Sequence, residues 1–299
     1  MISHWLTHHR EGSIAVSGRL EGKVIIITGA AGGIGRALVN ALLEEGASVT
    51  ATEKSEVTLA QLIGELEQAG HGARLLPSKI DVSDYGACQS CIEDTLTAFG
   101  RIDGLINNAA LGMGMIRSDH MTHLVRIEEL DGAIWNKMIS VNLSGAWNMT
   151  RHAFPIMRTR GFGRIINVTT SFFTMLRGGF HPYGPAKAGL EAMSLGHARE
   201  FSGTGVTVNV VVPGGPADTP MVPKEAPYAR RDLIDPTMMA HPVIWLCGEA
   251  DDTTTGQRYV AANWNVDVPP AQAARACGAP AAWPELAQNP VWPGGKPKD

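Results

Sequence analysis

Tyr183 and Lys187 stand four residues apart in the stretch HPYGPAKAG, a spacing that puts a phenol and an ammonium on one face of a helix. A phenol titrates near pH 10, so a tyrosine that gives up its proton at neutrality needs its anion favoured by about three pKa units, or about 4 kcal/mol. A fixed positive charge a few ångströms away supplies much of that. Pro185 lies between the two, and proline is tolerated in the first turn of a helix but damaging in its middle. The pair is therefore expected at a helix N-terminus, whose partial positive charge favours a phenolate further. The chemistry open to such a pair is proton transfer to or from an oxygen. An exposed helix carrying one aromatic and one cation by chance has the same spacing, so the pair gains meaning from its company.

That company begins near the N-terminus. Lys23 to Thr28 reads KVIIIT, a β-branched apolar run of the kind that forms a strand buried on both faces. Gly29, Gly33, Ile34 and Gly35 follow within AGGIG and its approach, and RALVNALLEEG then carries apolar residues at helical spacing up to Gly46. Strand, glycine turn and helix form an arrangement in which backbone N–H groups at a helix start receive a pyrophosphate, where side chains would block its approach. The spacing here is G-x-x-x-G-x-G rather than G-x-G-x-x-G. Glu53 closes the next strand-like run, ASVTATE, and a carboxylate about 20 residues past the turn is placed to accept from ribose hydroxyls. The alternative for Glu53 is an ordinary solvated residue at a strand end.

Further blocks follow in order: DVSD from Asp81, NNAA from Asn107, VNLSG from Val141, GRIINVTTS from Gly163, YGPAK from Tyr183 and VNVVVPGG from Val208. With TGAAGGIG from Thr28 they make the chain resemble the short-chain dehydrogenase/reductase family from about Leu20 to about Val260. The resemblance implies an α/β fold, a single Rossmann-type doubly wound parallel sheet flanked by helices on both faces. It implies that Asp81 and Val82 contact the adenine, that Asn108 braces the sheet beside the cofactor, and that Asn142 holds a water in a proton relay. Lys187 would bind the nicotinamide ribose while lowering the pKa of Tyr183, and Pro213 and Gly214 would flank the nicotinamide. The implied reaction is interconversion of a secondary alcohol and a ketone, with Tyr183 exchanging the hydroxyl proton as hydride passes to or from the cofactor.

Three positions depart from the family pattern. The hydroxyl that polarises the substrate carbonyl is usually a serine, whereas the count from either side lands on Thr170, with Ser171 adjacent. Thr170 can donate the same hydrogen bond with a stiffer χ1, and strand alternation would turn Ser171 away unless the chain bulges. Thr170 is favoured and Ser171 stays open. Ala110 stands where glycine is usual, and Thr219 comes one residue late after Pro213 and Gly214.

The 299 residues carry a net charge of −4 with pI near 6.2, which provides no basic field for nucleic acid. No run approaches the apolar length of a membrane helix, so a cytoplasmic protein is expected. Four cysteines do not make a disulfide framework at this length; Cys88 and Cys91 form a C-x-x-C on a helical segment, with no second pair to complete a zinc site. His8 and His9 belong to a polar leader, while His181 is close enough to Tyr183 to line a site. A metal is not expected.

The periodicity predicts strands at 23–28, 47–52, 73–79, 104–109, 164–169, 206–212 and near 257–262, alternating with helices at 33–45, 57–69, 84–99, 131–157, 183–202 and 236–247. An extension at 1–20, a catalytic domain at 21–265 and a Pro/Ala-rich tail at 266–299 divide the chain. Residues 111–130 exceed the usual connection and are expected to wall the substrate pocket. Trp283 and Trp292 predict that the tail docks rather than hangs free. With Ala31 and Gly32 uncharged before Gly33 and Glu53 set against Lys54, NAD is preferred over NADP; the alternatives are an NADP-dependent enzyme resembling ketoacyl reductases or a catalytically decayed dinucleotide-binding regulator. The expected partners are a small alcohol or ketone and further copies of the chain, as a homodimer or homotetramer.

Overall fold

The apolar runs become strands because they have somewhere to go on both sides. In a computed structural model, which describes residues 18–287, β1 (Val24–Thr28), β5 (Gly163–Val168) and β6 (Val206–Val212) are buried at every position. With β2 (Ser48–Glu53), β3 (Leu75–Lys79), β4 (Gly104–Asn107), β7 (Gln257–Val260) and β8 (Gly278–Pro280) they form one eight-stranded sheet in the order β3-β2-β1-β4-β5-β6-β7-β8. All pairings are parallel except that of β7 with β8. The order reverses between β1 and β4, and at such a switch point the carboxyl ends of the strands open a crevice that binds ligands.

Helices cover both faces. On one side α1 (Gly33–Glu44), α8 (Ala240–Gly248) and α9 (Pro270–Cys277) bury Leu38, Leu42, Val243, Ile244 and Ala273 against Ile25 and Ile27 of β1. On the other, α3 (Tyr85–Phe99), α5 (Gly145–Arg160) and α7 (Tyr183–Glu200) bury Ile92, Met149, Ala153 and Ala198 against Ile26 and Leu105. The predicted α/β doubly wound sheet is the observed fold. Cys88 and Cys91 are core residues of the second side, and burial pushes their thiols up to about 12 and about 11, so both stay protonated.

Four features differ from the periodicity. The single helix expected at 131–157 is α4 (Gly132–Ile139), a π turn at Ser140–Ser144, and then α5. The helix expected at 236–247 starts as a 3-10 turn, Pro236–Met239. A short α6 (Phe172–Leu176) follows β5. Beyond residue 265 the chain continues as α9 and β8 in the same sheet, so this part of the tail docks. Most of the 1–20 extension, His8, His9 and Trp292 lie outside the described residues.

Residues 111–130 contain two 3-10 turns, Met113–Met115 and Ile127–Glu129. Their Met113 and Val125 join Met138 and Phe180 in a separate apolar cluster, and Tyr183 packs against it.

Candidate active site

Tyr183 opens α7 and Lys187 stands one turn further on, as the proline between them requires. The Lys187 side chain is buried, and its Nζ donates to the carbonyl of Val168 at the end of β5, 2.7 Å away. Burial lowers this ammonium from its ordinary 10.5 to about 8. The phenol of Tyr183 is pushed up to about 12 by burial, and a side-chain hydrogen bond with Thr170 pulls it the other way. The sequence predicts a phenol acidified by the lysine; in the structure burial raises the phenol instead, and the opposing pull comes from Thr170 rather than from Lys187.

Thr170 and Ser171 both follow β5, and their hydroxyls are used differently. Ser171 caps α6: its Oγ accepts from the Thr174 N–H at 3.2 Å and lies 2.9 Å from Thr174 Oγ1. The Thr170 hydroxyl is no part of that cap and favours ionisation of Tyr183, while the Thr170 carbonyl accepts from Arg258 Nη2 at 2.9 Å. Arg258 in turn pairs with Glu191 at 3.1 Å. Sequence reasoning missed both members of that pair. The one signal was a charged residue inside an apolar helix face, and another inside the short strand QRYV.

Asn142 sits in the π turn, where a helix widens by one residue, a device common at functional sites. Its Oδ1 accepts from the Leu111 N–H at 2.7 Å and its Nδ2 donates to the Leu111 carbonyl at 2.9 Å. The asparagine thus ties the start of the 111–130 segment to the helix that carries it.

The glycine turn fits a dinucleotide. Gly29 has φ +65, and a Cβ there would come within 2.8 Å of Ala109 Cα. A Cβ on Gly35 would lie 2.0 Å from the Gly29 carbonyl oxygen. Side chains of Ser55, Asp84, Asp131 and Ser171 cap the starts of α2 (Glu56–Gln68), α3, α4 and α6, whereas Gly32 gives α1 no such acceptor. The first N–H groups of α1, including that of Ile34, are left for an anion. Asn108 braces the turn, with Nδ2 donating to the carbonyls of Thr28 at 2.9 Å and Gly29 at 3.1 Å. On the far side Gly214 takes φ +107 and the Pro213 carbonyl accepts from Ala262 at 3.0 Å. Thr219, despite its late position, packs directly on Gly33, where a Cβ would come within 2.5 Å of it.

At the ends of β2 and β3 Asp81 pairs with two cations. Burial opposes ionisation of Asp81, yet hydrogen bonds from Lys54, Ser83 and Lys137 hold its carboxyl below the usual range. Lys54 reaches it at 2.7 Å and Lys137 at 3.1 Å. Glu53 Oε1 accepts from the N–H groups of Lys54 and Ser55, at 2.8 and 3.3 Å. Val82 is buried, and its carbonyl accepts from Asn148 at 2.9 Å.

Two concavities adjoin this ensemble. One of about 630 Å³ is lined by Asp218, Thr219, Val222, Lys224 and Arg230, next to the glycine turn. The other, of about 360 Å³, is formed by Ile127, Leu130, Trp135 and His181, on the side of the 111–130 segment. No group of three or more metal-ligating side chains occurs among the described residues.

A doubly wound sheet, a glycine turn at its switch point and a tyrosine-lysine pair beside it define a nicotinamide-dinucleotide oxidoreductase. Residues 23–228 match the short chain dehydrogenase family, and the chain belongs to that family, whose members act on CH–OH or carbonyl groups with NAD or NADP. It is 34% identical over 248 residues to 3-oxoacyl-[acyl-carrier-protein] reductase FabG of Thermotoga maritima, covering 80% of this chain and 96% of that protein. It is 30% identical over 263 residues to 2,5-dichloro-2,5-cyclohexadiene-1,4-diol dehydrogenase LinX of Sphingobium indicum, covering 85% of this chain and all of that one. A crystal structure of a short-chain dehydrogenase/reductase from Burkholderia xenovorans superposes with a TM-score of 0.71 at 28% identity, covering 81% of this chain and 96% of that chain.

Proposed function

We propose that this enzyme interconverts a secondary alcohol and a ketone with an apolar body, using NAD in preference to NADP. When bound, the nicotinamide supplies or accepts the hydride. Tyr183 is the acid–base group, and the observation that carries this role is its place at the head of α7, one turn from the buried Lys187. In carbonyl reduction the phenol donates its proton to the developing alkoxide, and in alcohol oxidation it takes the hydroxyl proton. Thr170 donates to the substrate oxygen. Ser171, occupied as a helix cap, leaves that role to its neighbour. Lys187 orients the ribose and supports the phenolate that forms. Asn142, in the π turn, holds the water through which the spent proton is replaced.

The preference for NAD follows from charge. Lys54, the cation next to Glu53 in the chain, pairs with Asp81 at 2.7 Å, which leaves the Glu53 carboxylate to oppose a 2′-phosphate. The apolar cluster of Met113, Val125 and Phe180 against Tyr183 supports an apolar substrate. A ketoacyl substrate is the second reading, favoured by the likeness to FabG.

The test is a panel of ketones and alcohols with both dinucleotides, followed by absorbance of the reduced nicotinamide. Tyr183→Phe should lose about 10²–10⁴-fold in kcat while binding reduced cofactor normally. Turnover that survives this substitution would remove Tyr183 from the chemistry, and equal efficiency with both dinucleotides would remove the argument from Glu53.

A further inference from the structure

A buried ion pair ties the C-terminal segment to the proposed carbonyl donor. Glu191 on α7 and Arg258 on β7 are 0% and 6% exposed, and Arg258 Nη1 lies 3.1 Å from Glu191 Oε2. Charges taken so far from water persist only where hydrogen bonds satisfy their remaining atoms. Glu191 Oε2 also accepts from the Thr169 hydroxyl at 2.7 Å, and Oε1 accepts from the Ala282 N–H at 3.3 Å. Arg258 donates through Nη2 to the Thr170 carbonyl at 2.9 Å, with Nη1 3.4 Å from Thr169 Oγ1. Its guanidinium stacks 4.2 Å over the Phe172 ring, which in turn lies 5.5 Å from the ring of Trp283.

We infer that Arg258, fixed by Glu191 and by the Ala282–Trp283 segment, is a positioning residue that sets where the Thr170 hydroxyl points. The inference rests on Thr170 as the carbonyl donor. Thr169 and Thr170 fall between β5 and α6, outside both elements. The Thr169 N–H donates to the Val211 carbonyl at 3.2 Å, and past that point the ion pair supplies the hold: Glu191 accepts from the Thr169 side chain and Arg258 donates to the Thr170 carbonyl. A threonine has few χ1 options, so its hydroxyl follows its backbone. The serine usual in the family turns more freely; a threonine in its place needs its main chain set correctly, and the Arg258 bond to the Thr170 carbonyl does that. Trp283 and Ala282 extend the support to residues beyond the parallel sheet, which makes the tail part of the catalytic frame without contact with substrate.

The experiment measures Arg258→Met, Arg258→Lys and Trp283→Ala, alone and combined with Thr170→Ala. Arg258→Met should lower kcat by about 10–100-fold, as displacement of a reacting group by about an ångström does, and should leave reduced-cofactor binding within about twofold. Arg258→Lys should recover part of the loss, and Trp283→Ala should cost a few-fold. In the Thr170→Ala background Arg258→Met should cost less than about twofold, because groups that act as a unit are not additive. A second readout needs no turnover: the ring-carbon NMR signal of Tyr183 should shift in Arg258→Met and Thr170→Ala to a common position. A full penalty in the Thr170→Ala background, an unmoved Tyr183 signal, or wild-type kcat in a folded Arg258 variant would overturn the inference. Where Arg258→Met fails to fold, Arg258→Lys and Trp283→Ala carry the same comparisons. Absence of turnover in the wild type itself would instead count against the proposed function, and the NMR comparison would still decide Arg258.

Discussion

Lys187 keeps a proton in a place that disfavours it. Burial draws its pKa from 10.5 to about 8, so at neutrality the ammonium persists at a cost of about 3 kcal/mol. The sign follows from proton counting. Below about pH 8 both states are protonated and the penalty is complete; between about 8 and 10.5 the unfolded chain still binds the proton that the folded chain has released. Stability contributed at this site therefore rises with pH across that window. Relative to Lys187→Met, the wild type should gain about 3 kcal/mol from pH 8 to 10.5 in denaturant titrations, and a constant difference would contradict the assignment. Tyr183 acts oppositely at higher pH, since its raised value makes the folded state hold a proton the unfolded chain has lost. At this scale the tyrosine-lysine pair was legible because its spacing is local. Counting favoured Thr170 and left Ser171 open, although the Ser171-to-Thr174 spacing is itself a capping signal. Glu191 and Arg258 were illegible for a plainer reason: 67 residues separate them, and nothing in either neighbourhood names the other.

Among the elements, the glycine turn shows what the sequence could and could not disclose. Strand, turn and helix were readable from a switch of period, apolar run to helical spacing, and β1 and α1 lie within a residue of the expected starts. The reason for Gly35 appears only in three dimensions, where the Gly29 carbonyl occupies the space of a side chain. Gly35→Ala should destabilise the protein by about 1–3 kcal/mol through overpacking and should abolish dinucleotide binding in fluorescence titration, whereas Gly64→Ala, on α2 with nothing within 4 Å of its Cβ position, should leave binding unchanged. The division of the 131–157 helix was illegible, because a π turn inserts one residue without altering composition. Asn142 gives the physical account: its amide, turned to both backbone groups of Leu111, supports the widened turn from outside the helix.

For the whole molecule, the parallel sheet followed from alternating runs of apolar residues, but its last strand did not. Gly278–Pro280 is three residues long, and such a strand exists only because β7 offers it an edge. The two tryptophans of the tail predicted docking, and the Trp283 ring lies 5.5 Å from that of Phe172, while Trp292 lies outside the described residues. Assembly is the remaining expectation at this scale. Trp147 on α5 and Tyr85 on α3 are 43% exposed each and stack with ring centroids 6.0 Å apart, a pair of exposed aromatic rings on two neighbouring helices. We propose this as the contact of a homo-oligomer. Trp147→Glu should reduce the mass seen by light scattering to that of a single chain, and an unchanged mass would place the contact elsewhere.

The cysteines extend this to handling in the laboratory. Cys88, Cys91, Cys247 and Cys277 are all buried in the native chain, and alkylation needs an accessible thiolate. A maleimide dye should therefore leave the native protein unstained, and the rate at which staining appears would clock the spontaneous opening of its interior.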